Sequence, residues 1–357
     1  MHIDRVESGQ LVARTIFQEN GNVLLGEGVE LNDRYIQRLR HLGIDYLFVE
    51  DGKTDDIHPE EIISEETRRQ AVREIHNVMH SFKDAQDVKG RVIEPDMGRK
   101  FRHTFSSIMT DLSNRSTMLI NLETIHSTDA YLFQHSFNVA VLSSIVGLAK
   151  GFNRNQLEEL GVGALLFDIG MSKVPAAIIN KKGPLTKDEM EIVQAHPKEG
   201  FNILRKHGDI SLMSAHCALQ HHERFNGSGY PRQLEKDEIH LYAQIVGLAD
   251  TFDALTSNRP YRKRYTVSEA IEYLFAAGGT YFDHELIKLF CSHISIYPVA
   301  TTLMLNTGQM VVVSENNTLA LHRPKVRVLK EADGNAPATP YEIELKDRRD
   351  VTITKEL

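Results

Sequence analysis

The chain holds only two cysteines in 357 residues, Cys217 and Cys291. Two are too few for a disulfide framework, so both are expected as reduced structural thiols. No uninterrupted run of about 18 apolar residues occurs, so no membrane span is expected. The opening Met1-His2-Ile3-Asp4-Arg5 lacks the basic start and apolar segment of a signal peptide. These absences together point to the cytoplasm. Positive charge is also in deficit: the formal net charge is −8. That argues against non-specific nucleic-acid binding, and DNA is not an expected partner. An anionic substrate would need a local basic patch.

What is there is otherwise ordinary. A hydrophobic share of 41% and a charged share of 25% suit a soluble globular protein. The length suggests two or three domains. Histidine is the outlier, with 17 residues. His2, His41, His58 and His207 are expected at the surface, and the excess alone points only loosely to metal.

The organisation reads as mainly α. Residues 1–57 are expected as a small α/β unit, with strands over Leu11 to Phe17, Val23 to Leu25 and Ile44 to Val49. An Asn20-Gly21 turn and a helix capped by Asn32 and ended by Gly43 separate them. Residues 58–127 read as a helical connector, with helices over about 60–90 and from Met97 to His126, and with a contact to a second copy of the chain expected on the first. Residues 128–298 form the expected all-helical domain. Residues 299–357 form a short β appendage, with strands at 302–305, 309–313 and 325–329.

Six side chains in the helical stretch invite chemistry. His135 lies on a stripe with Val139, Leu142 and Val146, where a core role competes with a ligand role. Asp168 ends the apolar run Ala164-Leu165-Leu166-Phe167, where burial needs a cation or donors. Binding to backbone amides in a turn is the alternative. His196 follows the capping box opened by Thr186 and Glu189, and Pro197 should bend that helix and free a carbonyl. His221 and His222 diverge by about 100° on a helix and meet at one site only near its end. One of the two could serve structurally, as His216 is expected to. Asp250 and Asp253 interrupt an apolar helix, Asp250 reading as a ligand and Asp253 as a helix-internal bonding partner. Four imidazoles and two carboxylates suit iron, manganese, nickel, zinc or cobalt, and two ions if a carboxylate bridges them. Arg259, Arg262, Lys263 and Arg264 supply a basic loop, either solvated or in contact with phosphate.

The run His221-His222-Glu223-Arg224-Phe225-Asn226-Gly227-Ser228-Gly229-Tyr230-Pro231 resembles the HD-GYP domains, the bacterial cyclic di-GMP phosphodiesterases. His135-Ser136, Asp168-Ile169-Gly170, Pro184-Leu185-Thr186, His196 through Gly200 and Ala249-Asp250 with Asp253-Ala254-Leu255 match in order and spacing. The resemblance implies an HD-type helical hydrolase with two divalent transition-metal ions, iron or manganese, cleaving cyclic di-GMP to pGpG or GMP in second-messenger signalling. It implies that His135 and Asp250 serve one ion and that His196, His221 and His222 serve the other. Asp168 would bridge as the catalytic carboxylate. Gly229, Tyr230 and Pro231 would shape the nucleotide pocket, and Arg259 and Arg262 would hold phosphate. A cyclic dinucleotide, a homodimer and a signalling protein are the implied partners.

The chain departs from the family at Phe167, where the name-giving histidine stands, and at Met171, where a lysine stands. Lys173, two residues on, is a candidate substitute, against which a two-residue shift on a helix changes the face. Tyr131 replaces a glutamate found in some members, Asn226 an aspartate and Gln244 an arginine. Two readings follow: a phosphodiesterase with one weakened ion, or a domain that has lost catalysis and binds cyclic di-GMP or a protein as a regulatory module. A different HD-type nucleotide phosphohydrolase is a third, without support from the glycine-tyrosine-proline loop.

Overall fold

The computed structural model describes residues 3–17, 23–42, 44, 47–50, 52, 54, 56–57, 62–84, 95–113, 131–181, 183–257, 264–317 and 320–357. These fall into two compact units. One comprises 1–62, 117–130 and 294–357; the other comprises 63–116 and 131–293.

The first unit joins the two ends of the chain. Strands β1 (Ile16–Phe17) and β2 (Val23–Leu25) pair antiparallel, and helix α1 (Asp33–His41) follows. Asn32 caps α1 as expected, its side chain accepting from the Tyr35 amide at 3.0 Å. The expected strand from Leu11 shrinks to two residues. Leu11 and Val12 bridge to different partners, Glu30 and Val49, so no continuous ladder forms. Among the described residues of the strand expected over 44–49, Val49 makes a single bridge and 47–48 none, while residues 45 and 46 lie outside the description. The Asn20-Gly21 turn and Gly43 lie outside the described residues. Near the other end, β3 (Thr302–Leu305), β4 (Met310–Glu315), β5 (Lys325–Lys330), β6 (Glu342–Glu344) and β7 (Ile353–Glu356) form an antiparallel sheet in the order β6-β5-β4-β3-β7. Alternation buries Leu303, Leu305, Val311, Val313, Val326 and Val328 on one face. The short polar strands β6 and β7 had given no period to read. Arg327 on β5 donates to both Asp56 and Glu342.

The second unit is helical. It runs through α2 (Glu65–Asp84), α3 (Met97–Ser113), α4 (Tyr131–Ala149), α5 (Arg154–Leu166), α6 (Ala176–Ile179), α7 (Lys187–Gln194), α8 (His196–Leu204), α9 (Leu212–Gln220), α10 (Leu241–Thr256), α11 (Val267–Ala276) and α12 (His284–Cys291). Helix α4 is apolar all round, which forces burial on every side. It is long and apolar enough to cross a membrane by composition. Yet Val139, Ala140, Leu142 and Ile145 are fully enclosed, because α2, α5, α10 and α12 pack around it. Each such aliphatic side chain contributes about 1.5–3 kcal/mol on burial. The segment read as a connector belongs here too, with α2 against α4 and α3 against α5. Residues 114–126 of the second expected helix lie outside the described residues. His207, expected at the surface, is buried, with its ring edge-on to Phe82 at 6.0 Å.

Two glycines bring the key segments together. A Cβ on Gly170 would lie 2.0 Å from the His196 carbonyl oxygen, and one on Gly247 would lie 2.4 Å from the His221 carbonyl oxygen. Any side chain at either position would push a histidine-bearing segment away.

Candidate metal centre

Five elements of the helical unit converge. Helix α4 brings His135 and Asn138, and the end of α5 brings Phe167 and Asp168. The first residue of α8 is His196, and α10 carries Asp250 and Asp253. Helix α9 stops at Gln220, so His221 and His222 sit in its terminal turn. There both rings aim inward, with centroids 4.2 Å apart.

The break before His196 has a local cause. The expected capping box opens α7, with the Glu189 amide donating to Thr186 Oγ1 at 3.3 Å and the Thr186 amide donating to Glu189 Oε2 at 2.7 Å. Pro197 has no amide hydrogen for the carbonyl four residues back, Val193. The His196 ring takes over, its Nδ1–H donating to the Val193 oxygen at 2.6 Å. The helix therefore ends and restarts as α8, a sharper break than the bend expected from sequence.

That bond fixes the tautomer: with Nδ1 protonated, His196 Nε2 is bare. His221 is held the same way, its Nδ1 lying 3.0 Å from the carbonyl oxygens of Cys217 and Ala218. The two bare Nε2 atoms face each other at 3.2 Å. Asp168 Oδ1 sits 3.3 Å from the first and 3.7 Å from the second. Lone pairs and a carboxylate oxygen thus point at one another, an arrangement that only a proton or a cation satisfies. One ligand atom each from His196, His221 and His222 also lies within 4.8 Å of the others.

The other side is built differently. His135 Nδ1 donates to Asp253 Oδ2 at 2.7 Å, and its Nε2 lies 2.9 Å from Asp250 Oδ1. Asn138 donates to Asp253 Oδ1 at 2.8 Å. Asp253 is therefore a cross-helix orienting group as well as the helix-internal partner expected from sequence, its Oδ2 also accepting from Ser257 Oγ at the end of α10 at 3.3 Å. The signal was present in the spacing: His135 with Asn138, and Asp250 with Asp253, each stand three apart on one helical face. His222 Nδ1, 4.0 Å from Asp250 Oδ2, links the two sides.

Burial and charge act on these groups in opposite directions. Burial opposes ionisation of Asp168, but the His196 hydrogen bond and the neighbouring imidazoles outweigh it and hold its carboxyl below the usual range. Asp250 is likewise desolvated, yet the His135 bond and nearby histidines hold it far below that range. Burial, aided by His196, pushes His221 down to about 4. Burial and His221 push His222 well down. His196 is desolvated too, but Asp168 raises it above its ordinary value. His221 and His222 are thus held neutral beside ionised carboxylates, the protonation states a metal requires, while the proton that Asp168 draws to His196 is one a metal would displace.

Phe167 is buried between the two sides. Its ring meets His135 edge-on at 5.6 Å and His221 at 4.9 Å. Lys173 is turned away: its ammonium donates to the Phe82 carbonyl at 2.8 Å, capping the end of α2. It does not replace the lysine absent at Met171.

The glycine-tyrosine-proline loop folds back on the histidine pair. Glu223 accepts from the Arg232 and Leu234 amides at 2.7 and 3.0 Å. Gly229 packs so tightly that its Cβ would meet the Arg224 amide nitrogen at 2.3 Å. Tyr230 stacks on His222 with centroids 4.7 Å apart. Gly229 and Tyr230 line a cleft beside His222, whereas Pro231 is exposed and outside that lining. Arg259, Arg262 and Lys263 lie outside the described residues, as does the Tyr131 side chain.

Comparison with known proteins agrees with this geometry. The profile of the HD domain matches residues 117–286, and that of a KOW domain associated with the HD domain matches residues 302–357. A cyclic di-GMP phosphodiesterase of Pseudomonas aeruginosa is 29% identical over 92% of this chain and 83% of its own length. A cyclic di-GMP phosphodiesterase response regulator of Xanthomonas campestris is 37% identical over 45% of this chain and 42% of its own. A cyclic di-GMP phosphodiesterase of Thermotoga maritima is 37% identical over 45% and 44%. This chain therefore spans less than half of the latter two. Among solved structures, an HDG"Y"P protein from Bdellovibrio bacteriovorus aligns over 81% of this chain and 97% of its own at 15% identity, with a TM-score of 0.47. With its ordered set of histidines and aspartates and its Gly229-Tyr230-Pro231 loop, the chain carries an HD domain over residues 117–286 and is similar there to the HD-GYP type.

Proposed function

We propose that this chain is a metal-dependent phosphodiesterase that opens a cyclic dinucleotide, cyclic di-GMP first, to its linear form. One observation carries the reading: the bare Nε2 atoms of His196 and His221, 3.2 Å apart and facing Asp168. The donor set fits a divalent transition ion, with iron and manganese favoured by its mixture of imidazole and carboxylate. His196, His221 and His222 would hold one ion, His135 and Asp250 the other, with Asp168 shared between them. When bound, such ions supply Lewis-acid polarisation of a phosphoryl oxygen and a nucleophile at neutral pH.

The chain's own residues prepare that chemistry. Backbone carbonyls fix the tautomers of His196 and His221. Asp253 orients His135. Phe167 walls off water between the two sides, and Tyr230 holds the His222 ring by stacking. Arg259 and Arg262 would complete phosphate binding. The relatives from Pseudomonas aeruginosa and Thermotoga maritima, both named cyclic di-GMP phosphodiesterases, support the substrate.

Phe167 favours a second reading. An apolar ring stands where the family places a ligand, so the His135 side is one donor short, and a protein that retains cyclic di-GMP uncut would act as a binding module. Protein purified without oxygen and supplied with ferrous iron or manganese separates the two. Release of pGpG supports the enzyme. Stoichiometric binding of intact dinucleotide replaces it with the binding module.

A further inference from the structure

His222 has a second neighbour besides the imidazole cluster. Its ring stacks on Tyr230 with 26° between the planes, and beyond Tyr230 opens a cleft of about 310 Å³. That volume falls at the lower end of small-molecule sites, roughly 300–1,000 Å³. Its lining is rich in aromatics, with Tyr273 from α11 and Tyr281 and Phe282 from the turn after it. Tyr273 and Tyr281 are each 39% exposed, so the core does not require them and their rings face water. The Arg224 guanidinium lies 5.2 Å from the Phe282 ring centre. It is pinned there by bonds of 3.0 Å to the carbonyl oxygens of His221 and Glu223. No carboxylate lines the cleft among the described residues.

Flat aromatic faces with one fixed cation suit a planar neutral heterocycle carrying a phosphate, because stacking is indifferent to base identity while the cation favours the anion. We infer that Tyr273 and Tyr281 form a base-stacking subsite that holds one purine of the cyclic dinucleotide beside His222 and sets its affinity. The inference deepens the phosphodiesterase reading and rests on it for the ligand. The subsite is reached from His222, so a base seated there keeps its phosphate close to the metal ligands.

The test uses the full-length manganese-loaded protein and cyclic di-GMP. Tyr273→Leu with Tyr281→Leu should raise KM about tenfold. Metal content should stay at the wild-type value, and the effect should sit in KM rather than kcat, because neither tyrosine is among the proposed metal ligands. The conservative pair Tyr273→Phe and Tyr281→Phe should remain within about twofold of wild type. Calorimetric binding of cyclic di-GMP is measured alongside. If the wild type cleaves and the leucine variant keeps its KM, the subsite is overturned and the phosphodiesterase reading survives. If the wild type binds without cleaving and the leucine variant binds tenfold more weakly, the subsite stands and hydrolysis falls. Loss of metal together with kcat would mark the tyrosines as structural and overturn the inference. A wild type that neither binds nor cleaves would overturn both.

Discussion

The two sides of the site hold their imidazoles by different means. His196 and His221 lean on backbone carbonyls, which fix the tautomer and add no net charge. His135 leans on the Asp253 carboxylate, which fixes the tautomer and also makes the ring more basic. A more basic imidazole is a stronger metal donor, and a stronger competitor for a proton as well. The first side is complete in the family's terms and needs no such help. On the proposed ligand set the second would be short of a ligand at Phe167, and Asp253 steadies the His135 ring there. Two ions bound there should therefore differ in affinity, the one on the His135 side being weaker and more sensitive to pH.

The largest effect should come from the complete side. His221→Ala removes a bare nitrogen and leaves Asp168 and His196 facing a gap. Metal content measured on the purified variant should fall by at least one ion per chain, with affinity down on the order of 100-fold or more, beyond what losing a mere orienting group costs. Full occupancy would break the comparison at its root. Asp253→Asn should act on the other side alone. It keeps the shape but reverses the preferred tautomer of His135, and should weaken the second ion by about 10–100-fold while leaving the first in place. Equal loss of both ions would show that the sides are not separable.

Phe167→His should sharpen the contrast in the opposite direction. The second ion should bind more tightly and turnover should rise several-fold. An unchanged metal count and rate would mean that the vacancy at 167 is not what limits this side.

The smallest effect is thermal. In the metal-free protein His221 titrates at about 4 when folded, against about 6.5 in an unfolded chain. The unfolded chain binds more protons across that interval, so the contribution of the neutral ring is complete above about 6.5 and is lost as pH falls toward 4. His222 acts in the same sense. Asp168 and Asp250, both held low, withdraw their contributions at still lower pH. His196, raised by Asp168, works against this by gaining a proton on folding. The net expectation is a Tm lower at pH 5 than at pH 7 by on the order of 5 °C, with the difference reduced when metal is bound. A Tm that rises on acidification would reverse the assignment of neutral imidazoles.

Much of this was legible in the sequence because it is local. The histidine pair followed by a glycine-rich turn lies within eleven residues, and its placement at a helix end follows from the two glycines. The Thr186 capping box and the Asn32 cap are likewise set by residues three apart. What was missed depends on tertiary distance. Asp253 read as helix-internal only, and its bond from Ser257 agrees, but its second partner, His135, lies 118 residues away. For Lys173 the sequence left substitution and a changed helix face both open, and only the fold ties it to Phe82. The strand expected from Leu11 failed because its residues bridge to two different segments, and no pattern along one strand encodes that split. Strands β6 and β7 are three and four residues long, too short to carry a period. Tyr273 and Tyr281 gave no signal, since solvent-facing aromatics line a cleft only once α11 and the turn after it fold up to the loop after His222.

Pro197 governs more than where a helix stops. By withholding one hydrogen from the Val193 carbonyl, it makes that oxygen the anchor for the neighbouring ring, and so decides which edge of His196 is left open. An alanine there would return the missing donor to the main chain and free the imidazole to rotate. The coordination chemistry of this protein is in that sense written partly in a residue that cannot coordinate anything.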